Sequence, residues 1–149
     1  YSGWYSGPLA SRTRQIVDTE RIARRFASVF TGKLRVVTEF GAGGSGRNPN
    51  RAVGGYGYQS QLIADHLAIY RRTPGIAGAL VWSLRDFAMT PGWSGGSLRL
   101  VAPAVRTQAG LNDKGLFTRG NRPKQAALTV RQEFAGANCR TTVGKRRTC

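Results

Sequence analysis

The sequence predicts an α/β fold built on parallel strands. Three observations carry that reading. Segments with helical apolar spacing alternate with short strand-like runs, in the order helix, strand, helix, strand, loop, helix, and such alternation is the pattern of parallel sheets. The run 76–84, IAGALVWSL, is continuously apolar between turn residues, as a strand buried on both faces should be. Turn residues close the elements: Thr31-Gly32, the glycine run 41–46 and Thr73-Pro74-Gly75, each a combination that favours chain reversal.

Taken in order, residues 18–30 (DTERIARRFASVF) read as a helix. Asp18 or Thr19 would cap it, and Ile22, Phe26, Val29 and Phe30 would form its buried face, since they fall at helical spacing. Residues 34–40 (LRVVTEF) are rich in β-branched side chains and predict a strand. Residues 47–55 read as loop. A second helix is expected over 57–72, with Leu62, Ile63, His66, Leu67 and Tyr70 along one side. The strand 76–84 follows, then an irregular Gly- and Pro-containing stretch over 89–111. Pro123 opens a last helix, about 123–135, with Ala127, Val130 and Phe134 facing inward. The opening Tyr1-Ser2-Gly3-Trp4-Tyr5 suits a strand end.

At 149 residues, the chain is long enough to bury about 70% of its unfolded surface. It is too short for a closed (β/α)8 barrel, which needs about 200 residues or more. Apolar residues make up 40% and charged residues 20%, so a folded domain is expected. No apolar run approaches the length of a membrane-spanning helix. No initiator Met or basic-then-apolar leader is visible, and a chain opening on an aromatic-rich segment reads as cut from something longer.

The net charge is +16, from 23 basic and 7 acidic residues. That balance raises a polyanion partner first. The cations are scattered, however, and the longest run is Lys145-Arg146-Arg147. Abundant Arg, Gly and Ala also fit G/C-rich coding. A basic nucleic-acid-binding module is therefore the alternative reading, not the leading one. Cys139 and Cys149 both lie in the basic tail. They could close one short disulfide loop, which suits an oxidising compartment, or remain thiols. A secreted or extracytoplasmic location therefore stays open. With one His, no zinc pattern is complete, and neither a metal nor a cofactor is expected.

In parallel α/β folds, chemistry gathers at the carboxyl ends of the strands. Asp18, Glu20, Asp65 and Glu133 fall on helices and read as solvated or capping residues. Glu39 ends the strand 34–40, and Asp86 follows the apolar run 76–84. A carboxylate there is costly without a purpose or a partner. The partner would be an Arg such as Arg85 or Arg35. Trp4, Tyr5, Phe40, Trp82 and Phe87 cluster at the same ends, and flat aromatic faces beside carboxylates suit sugar rings. Gly41–Gly46 spells G-x-G-x-x-G after a strand. Arg47-Asn48-Pro49-Asn50 is loop, not the helix a dinucleotide site needs, so a mobile active-site loop is the better reading. Asn112-Asp113-Lys114-Gly115 puts an amide and an ammonium two residues apart, which suits an anionic group or a solvated turn.

Four ordered motifs carry a resemblance. YSGWYSG is similar to a Y-x-G-W-Y segment, and LRVVTEFGA to a T-E-[YF]-G-A nucleophile motif. YQSQLIADHLAIYRRTPGIAGALVWSLRDFA is similar to a Y-Q…H helix followed by V-W-N-x-x-D-F. NDKGLFTRGNRPKQAA is similar to N-x-K-G-[LI]-F-T-R-x-x-[RK]-P-K-x-A-A. Together they resemble the C-terminal part of the catalytic barrel of glycoside hydrolase family 2, the β-glucuronidase and β-galactosidase family. The likeness spans about residues 1–136, and the tail 137–149 has no counterpart in it. The implied fold is about strands six to eight of a TIM barrel with their helices, incomplete in this chain.

The resemblance implies a fragment of a retaining β-glycosidase, leaning to β-glucuronides, with β-galactosides as the alternative within the family. Glu39 matches the nucleophile, and Tyr1 the tyrosine that hydrogen-bonds it. Trp4, Tyr5 and Trp82 match aromatic walls of the sugar site. Asn112 and Lys114 match the pair that grips a uronate carboxylate. Ser83 stands where the family commonly has Asn, and Ser2 where Tyr is frequent. The family's acid/base Glu follows an Asn, and this chain contains no Asn-Glu pair. That carboxyl is therefore expected on a missing N-terminal part of the same enzyme, and the isolated fragment is expected to be inactive. A homo-oligomer of the full-length protein remains open.

Overall fold

The computed structural model describes residues 12–90 and 105–138. Tyr1, Trp4, Tyr5, Cys139 and Cys149 lie outside the described residues. The elements are α1 (Arg12–Val29), β1 (Arg35–Phe40), α2 (Tyr56–Arg72), β2 (Ile76–Val81), β3 (Phe87–Ala88), β4 (Leu111–Asn112) and α3 (Gln125–Asn138). β1 and β2 pair in parallel, and β3 and β4 pair antiparallel. The fold is mixed α/β, and the described strands close no barrel.

The second helix is the hub. Leu62, Ile63, His66, Leu67 and Tyr70 are all buried on it. Ile63, Leu67 and Tyr70, with Ile69, join Ala23 of α1, Phe40 of β1, Leu116, and Ala126 and Val130 of α3 in one core. Asn50 fixes the start of α2 from the preceding loop: its side-chain oxygen accepts the Gly57 N–H at 2.9 Å and its carbonyl accepts the Tyr58 N–H at 3.0 Å. These are two of the donors that a helix start leaves unmatched. Thr73 ends the helix, its hydroxyl donating to the Ile69 carbonyl at 2.8 Å. Gly75 then takes a left-handed φ of 81° to turn the chain into β2.

Several expectations are corrected. The first helix starts at Arg12, not at 18, so neither Asp18 nor Thr19 caps it. Asp18 pairs with Arg21 on the same helix. Thr19 is buried and meets the His66 ring at 3.3 Å. The face that packs on α2 is Thr19 and Ala23, while Ile22, Phe26, Val29 and Phe30 are exposed. The second strand stops at Val81 and is not fully buried, with Leu80 58% and Leu84 70% exposed. The cause is shared: a two-stranded sheet covers little, and no described element lies over these side chains. On α3, Val130 faces inward as expected and Ala127 packs half-buried against the core, joined by the fully buried Ala126, while Phe134 is exposed. The acids on helices are paired, not simply solvated: Asp65 with Arg12, Glu20 with Arg72, and Glu133 with Arg71.

Arg35 supplies a cap that the sequence did not announce. Its guanidinium donates to the carbonyls of Ala27, at 2.8 Å, and of Phe30. These carbonyls are the negative end of α1, where a cation is favoured. Arg35 is therefore a structural residue at the end of the sheet opposite Glu39.

Candidate active site

β1 and β2 pair in parallel from Arg35 opposite Ile76 to Phe40 opposite Val81, with a register shift after Arg35 and another after Val37, so their carboxyl ends lie side by side. Glu39 sits at that end of β1 and is exposed. Trp82 follows β2, and its N–H donates to the Phe40 carbonyl at 2.8 Å. Trp82 is 41% exposed, and its ring meets Phe87 edge-to-face at 6.1 Å. The Trp82–Ser83 peptide bond is cis. Gly41 lies directly beneath, where a Cβ would stand 2.5 Å from the Trp82 carbonyl oxygen. Glycine is required here because two backbones touch.

The segment carrying Asn112 and Lys114 arrives at the same end. Asn112 is on β4, opposite Phe87. The Ser83 N–H donates to the Lys114 carbonyl at 3.2 Å, and the Gly44 N–H donates to the Asp113 carbonyl at 2.9 Å. Asn112 is buried, and its side-chain oxygen accepts the Lys114 N–H at 3.0 Å. With the oxygen so used, the amide nitrogen is the end that can present donors. Burial pushes the Lys114 ammonium down from its ordinary value to about 8. The structure thus brings Glu39, Trp82, Asn112 and Lys114 to one end of the fold. Phe40 does not join them: it is 2% exposed and packs between His66 and Tyr70, a core residue and not a wall of the site.

Asp86, directly before β3, is buried and is not paired with Arg85 or Arg35. Its partner is Lys124, at 2.7 Å. Burial pushes the Asp86 carboxyl up, and Lys124 with the Gly115 N–H pulls the other way. Gln59, fully buried on α2, directs its amide nitrogen at the carbonyls of Ala42, Lys114 and Gly115. Neither Lys124 nor Gln59 was singled out by sequence reasoning. Gln59 had a signal, since it continues the buried stripe of Leu62, Ile63 and His66 as a polar residue on an apolar face. Lys124 precedes α3 and belongs to no periodic pattern; its one signal was the fixed Lys after Pro123 in the R-P-K-x-A-A end of the motif. The glycine run 41–46 is no dinucleotide loop: it runs into turn and loop, and α2 opens only at Tyr56. Among the described residues no cluster of His, Cys, Asp and Glu could hold a metal ion, and no helix is long and apolar enough to cross a membrane.

No family model matches the sequence. Solved structures do. A β-glucuronidase from Faecalibacterium prausnitzii is similar over 91% of this chain and 20% of its own, with 22% identity and a TM-score of 0.72. An uncultured Clostridium sp. β-glucuronidase is similar over 90% of this chain and 21% of its own, with 26% identity and a TM-score of 0.69. A family 2 β-galacturonidase from Eisenbergiella tayi, solved with galacturonate, is similar over 83% of this chain and 20% of its own, with 23% identity and a TM-score of 0.61. The chain spans about one fifth of the length of these enzymes. In fold, this chain is therefore similar to one segment of the family 2 glycoside hydrolases, the β-glucuronidases among them.

Proposed function

We infer that the chain is the C-terminal part of the catalytic (β/α)8 barrel of a retaining β-glycosidase, acting on β-uronides and on β-glucuronides in particular. Residues 1–136 form the barrel portion, about strands six to eight, and 137–149 a separate basic tail. The observation that carries this reading is the convergence of Glu39, Trp82 and the 112–114 loop at the carboxyl end of a parallel strand pair. The solved neighbours point the same way: β-glucuronidases and a β-galacturonidase share a sugar that bears a carboxylate. That favours uronides over galactosides.

In this mechanism the Glu39 carboxylate attacks the anomeric carbon, and the bond to the aglycone oxygen breaks. The leaving oxygen takes a proton from an acid/base Glu on the missing N-terminal part. Water, deprotonated by that same residue, then displaces Glu39 and regenerates the enzyme with retained configuration. The two carboxyl groups would stand about 5–5.5 Å apart. Tyr1 would hydrogen-bond Glu39 and orient its carboxylate. Trp4, Tyr5 and Trp82 line the sugar. Asn112 donates from its amide nitrogen to the uronate carboxylate, and the Lys114 ammonium supplies the balancing charge. The isolated chain lacks the acid and is inactive alone.

The test uses the complete polypeptide that carries this chain. A 2-deoxy-2-fluoro-β-glucuronyl fluoride should accumulate as a covalent adduct on the peptide containing Glu39, because the fluorine slows the second step. Glu39→Gln should lose the label and turnover by at least about three orders of magnitude. Turnover that survives in Glu39→Gln sinks the assignment.

A further inference from the structure

Two segments of the proposed site leave their strands separately: the glycine run after Glu39 and the 112–115 loop. Two buried side chains from elsewhere join them. Lys124 is 3% exposed, and its ammonium has three protons and meets three acceptors. These are the Gly44 carbonyl at 2.8 Å, the Asp113 carbonyl at 2.8 Å and Asp86 Oδ1 at 2.7 Å. Asp86 Oδ1 also accepts the Gly115 N–H at 2.9 Å. Gln59 reaches from α2 to the Ala42 and Gly115 carbonyls, both at 3.0 Å, and to the Lys114 carbonyl at 3.3 Å. Apart from Asp86 itself, every group held belongs to 42–44 or 113–115. Neither loop has slack. A Cβ at Gly44 would collide with the Gln59 amide, and one at Gly115 with the backbone of Arg85 and Asp86.

We propose that Lys124, with Asp86 and Gln59, is a positioning assembly that fixes Asn112 and Lys114 against the loop after Glu39 and so sets the site's affinity for a carboxylate-bearing sugar. The proposal rests on the uronide reading. None of the three residues touches the substrate; they act through the 112–115 backbone. The choice of residue supports this. Packing alone would be served as well by apolar side chains, since a buried ion pair adds little net stability. Only an ammonium offers three donors from one atom, and here they bind two loops and a strand tip at once. Arg, a planar fork, would not match three acceptors converging on one point.

Two variants of the complete polypeptide test it. Lys124→Met with Asp86→Asn removes the clamp without leaving a charge buried. Gln59→Leu loosens the same loops with the ion pair intact, and stands alone if the first variant fails to fold. Deuterium uptake in peptides covering 41–46 and 112–116 should rise against the rest of the chain. KM for 4-nitrophenyl β-D-glucuronide should rise about tenfold or more while kcat stays within about threefold. A purely structural role would instead lower the active fraction, so kcat would fall with KM unchanged; that result overturns the proposal and leaves the uronide reading standing. Unchanged uptake in both variants overturns it as well. Wild-type protein that cleaves no uronide, with uptake raised in the variants, refutes the uronide reading and removes the proposal with it.

Discussion

On the uronide reading proposed above, Lys114 is the half-buried cation that would select the substrate. Burial lowers its pKa to about 8, so at neutral pH it is still mostly charged but poorly solvated. A uronate carboxylate beside it would favour the charged form. The binding form is the protonated one, so affinity is present below about pH 8 and is lost as pH rises through that value. KM for a glucuronide should climb about tenfold per pH unit above that point. In Lys114→Ala the same constant should be high at every pH and flat. A wild-type profile that stays level to pH 10 counts against the role of Lys114. The residue pair itself was legible in the sequence only through its motif, since an Asn and a Lys two apart also describe any solvated turn. Asp86 was legible as a costly position, but its partner was not. Arg85 and Arg35 were nearer in sequence or strand, yet the structure sends Arg35 to the end of α1 and brings Lys124 from 38 positions away.

The elements that sequence reading placed well are those whose periodicity and breakers agree. α2 has both: five buried residues at helical spacing and Thr73-Pro74-Gly75 at its end. α1 was misplaced because its first turn is polar. Arg12, Thr13, Arg14 and Gln15 carry no apolar signal, yet polar residues of this kind can propagate a helix, and the Arg12–Asp65 pair at 2.8 Å ties that turn to α2. The contact between α1 and α2 turns on His66. Its Nδ1 donates to the Leu62 carbonyl at 2.8 Å, which leaves Nε2 to accept the Thr19 hydroxyl at 3.3 Å. Burial pushes its pKa below the ordinary 6.5, against a weaker upward pull from the Leu62 carbonyl and Asp65. The unfolded chain therefore binds a proton that the folded chain refuses. The folded state is favoured above pH 6.5 and loses stability as pH falls below it. Melting temperature should drop between about pH 6.5 and 5 in the wild type, and less in His66→Gln. The difference between the two isolates His66 from Asp86 and Asp113, whose raised pKa values act with the opposite sign. Parallel curves would refute it.

At the scale of the molecule, the sequence encodes burial that the described chain does not complete. The apolar spacing of α1 and the unbroken apolar run through β2 predict burial, and both are partly exposed. Phe26 is 40%, Val36 48% and Leu84 70% exposed. Among the described residues β1 pairs only with β2. A cleft of about 350 Å³ lies between α1 and β1, lined by Ile22, Phe26, Val36 and Glu39 among others. Apolar side chains beside an open strand edge template association. The proposed barrel accounts for them, because its remaining strands would cover this face. On its own, the chain should self-associate at micromolar concentration in sedimentation velocity. Added salt separates two causes of that behaviour. The net charge of +16 opposes contact between copies, so screening it should strengthen apolar association. Assembly on a polyanion carried over from expression would instead dissolve as salt rises. Replacing Phe26 and Leu84 by Glu should shift the protein toward monomer with α2 still folded, since neither side chain belongs to the core around Ile63. A wild-type chain that stays monomeric at high salt would mean that this face needs no cover, and would remove the physical reason for placing it inside a larger barrel.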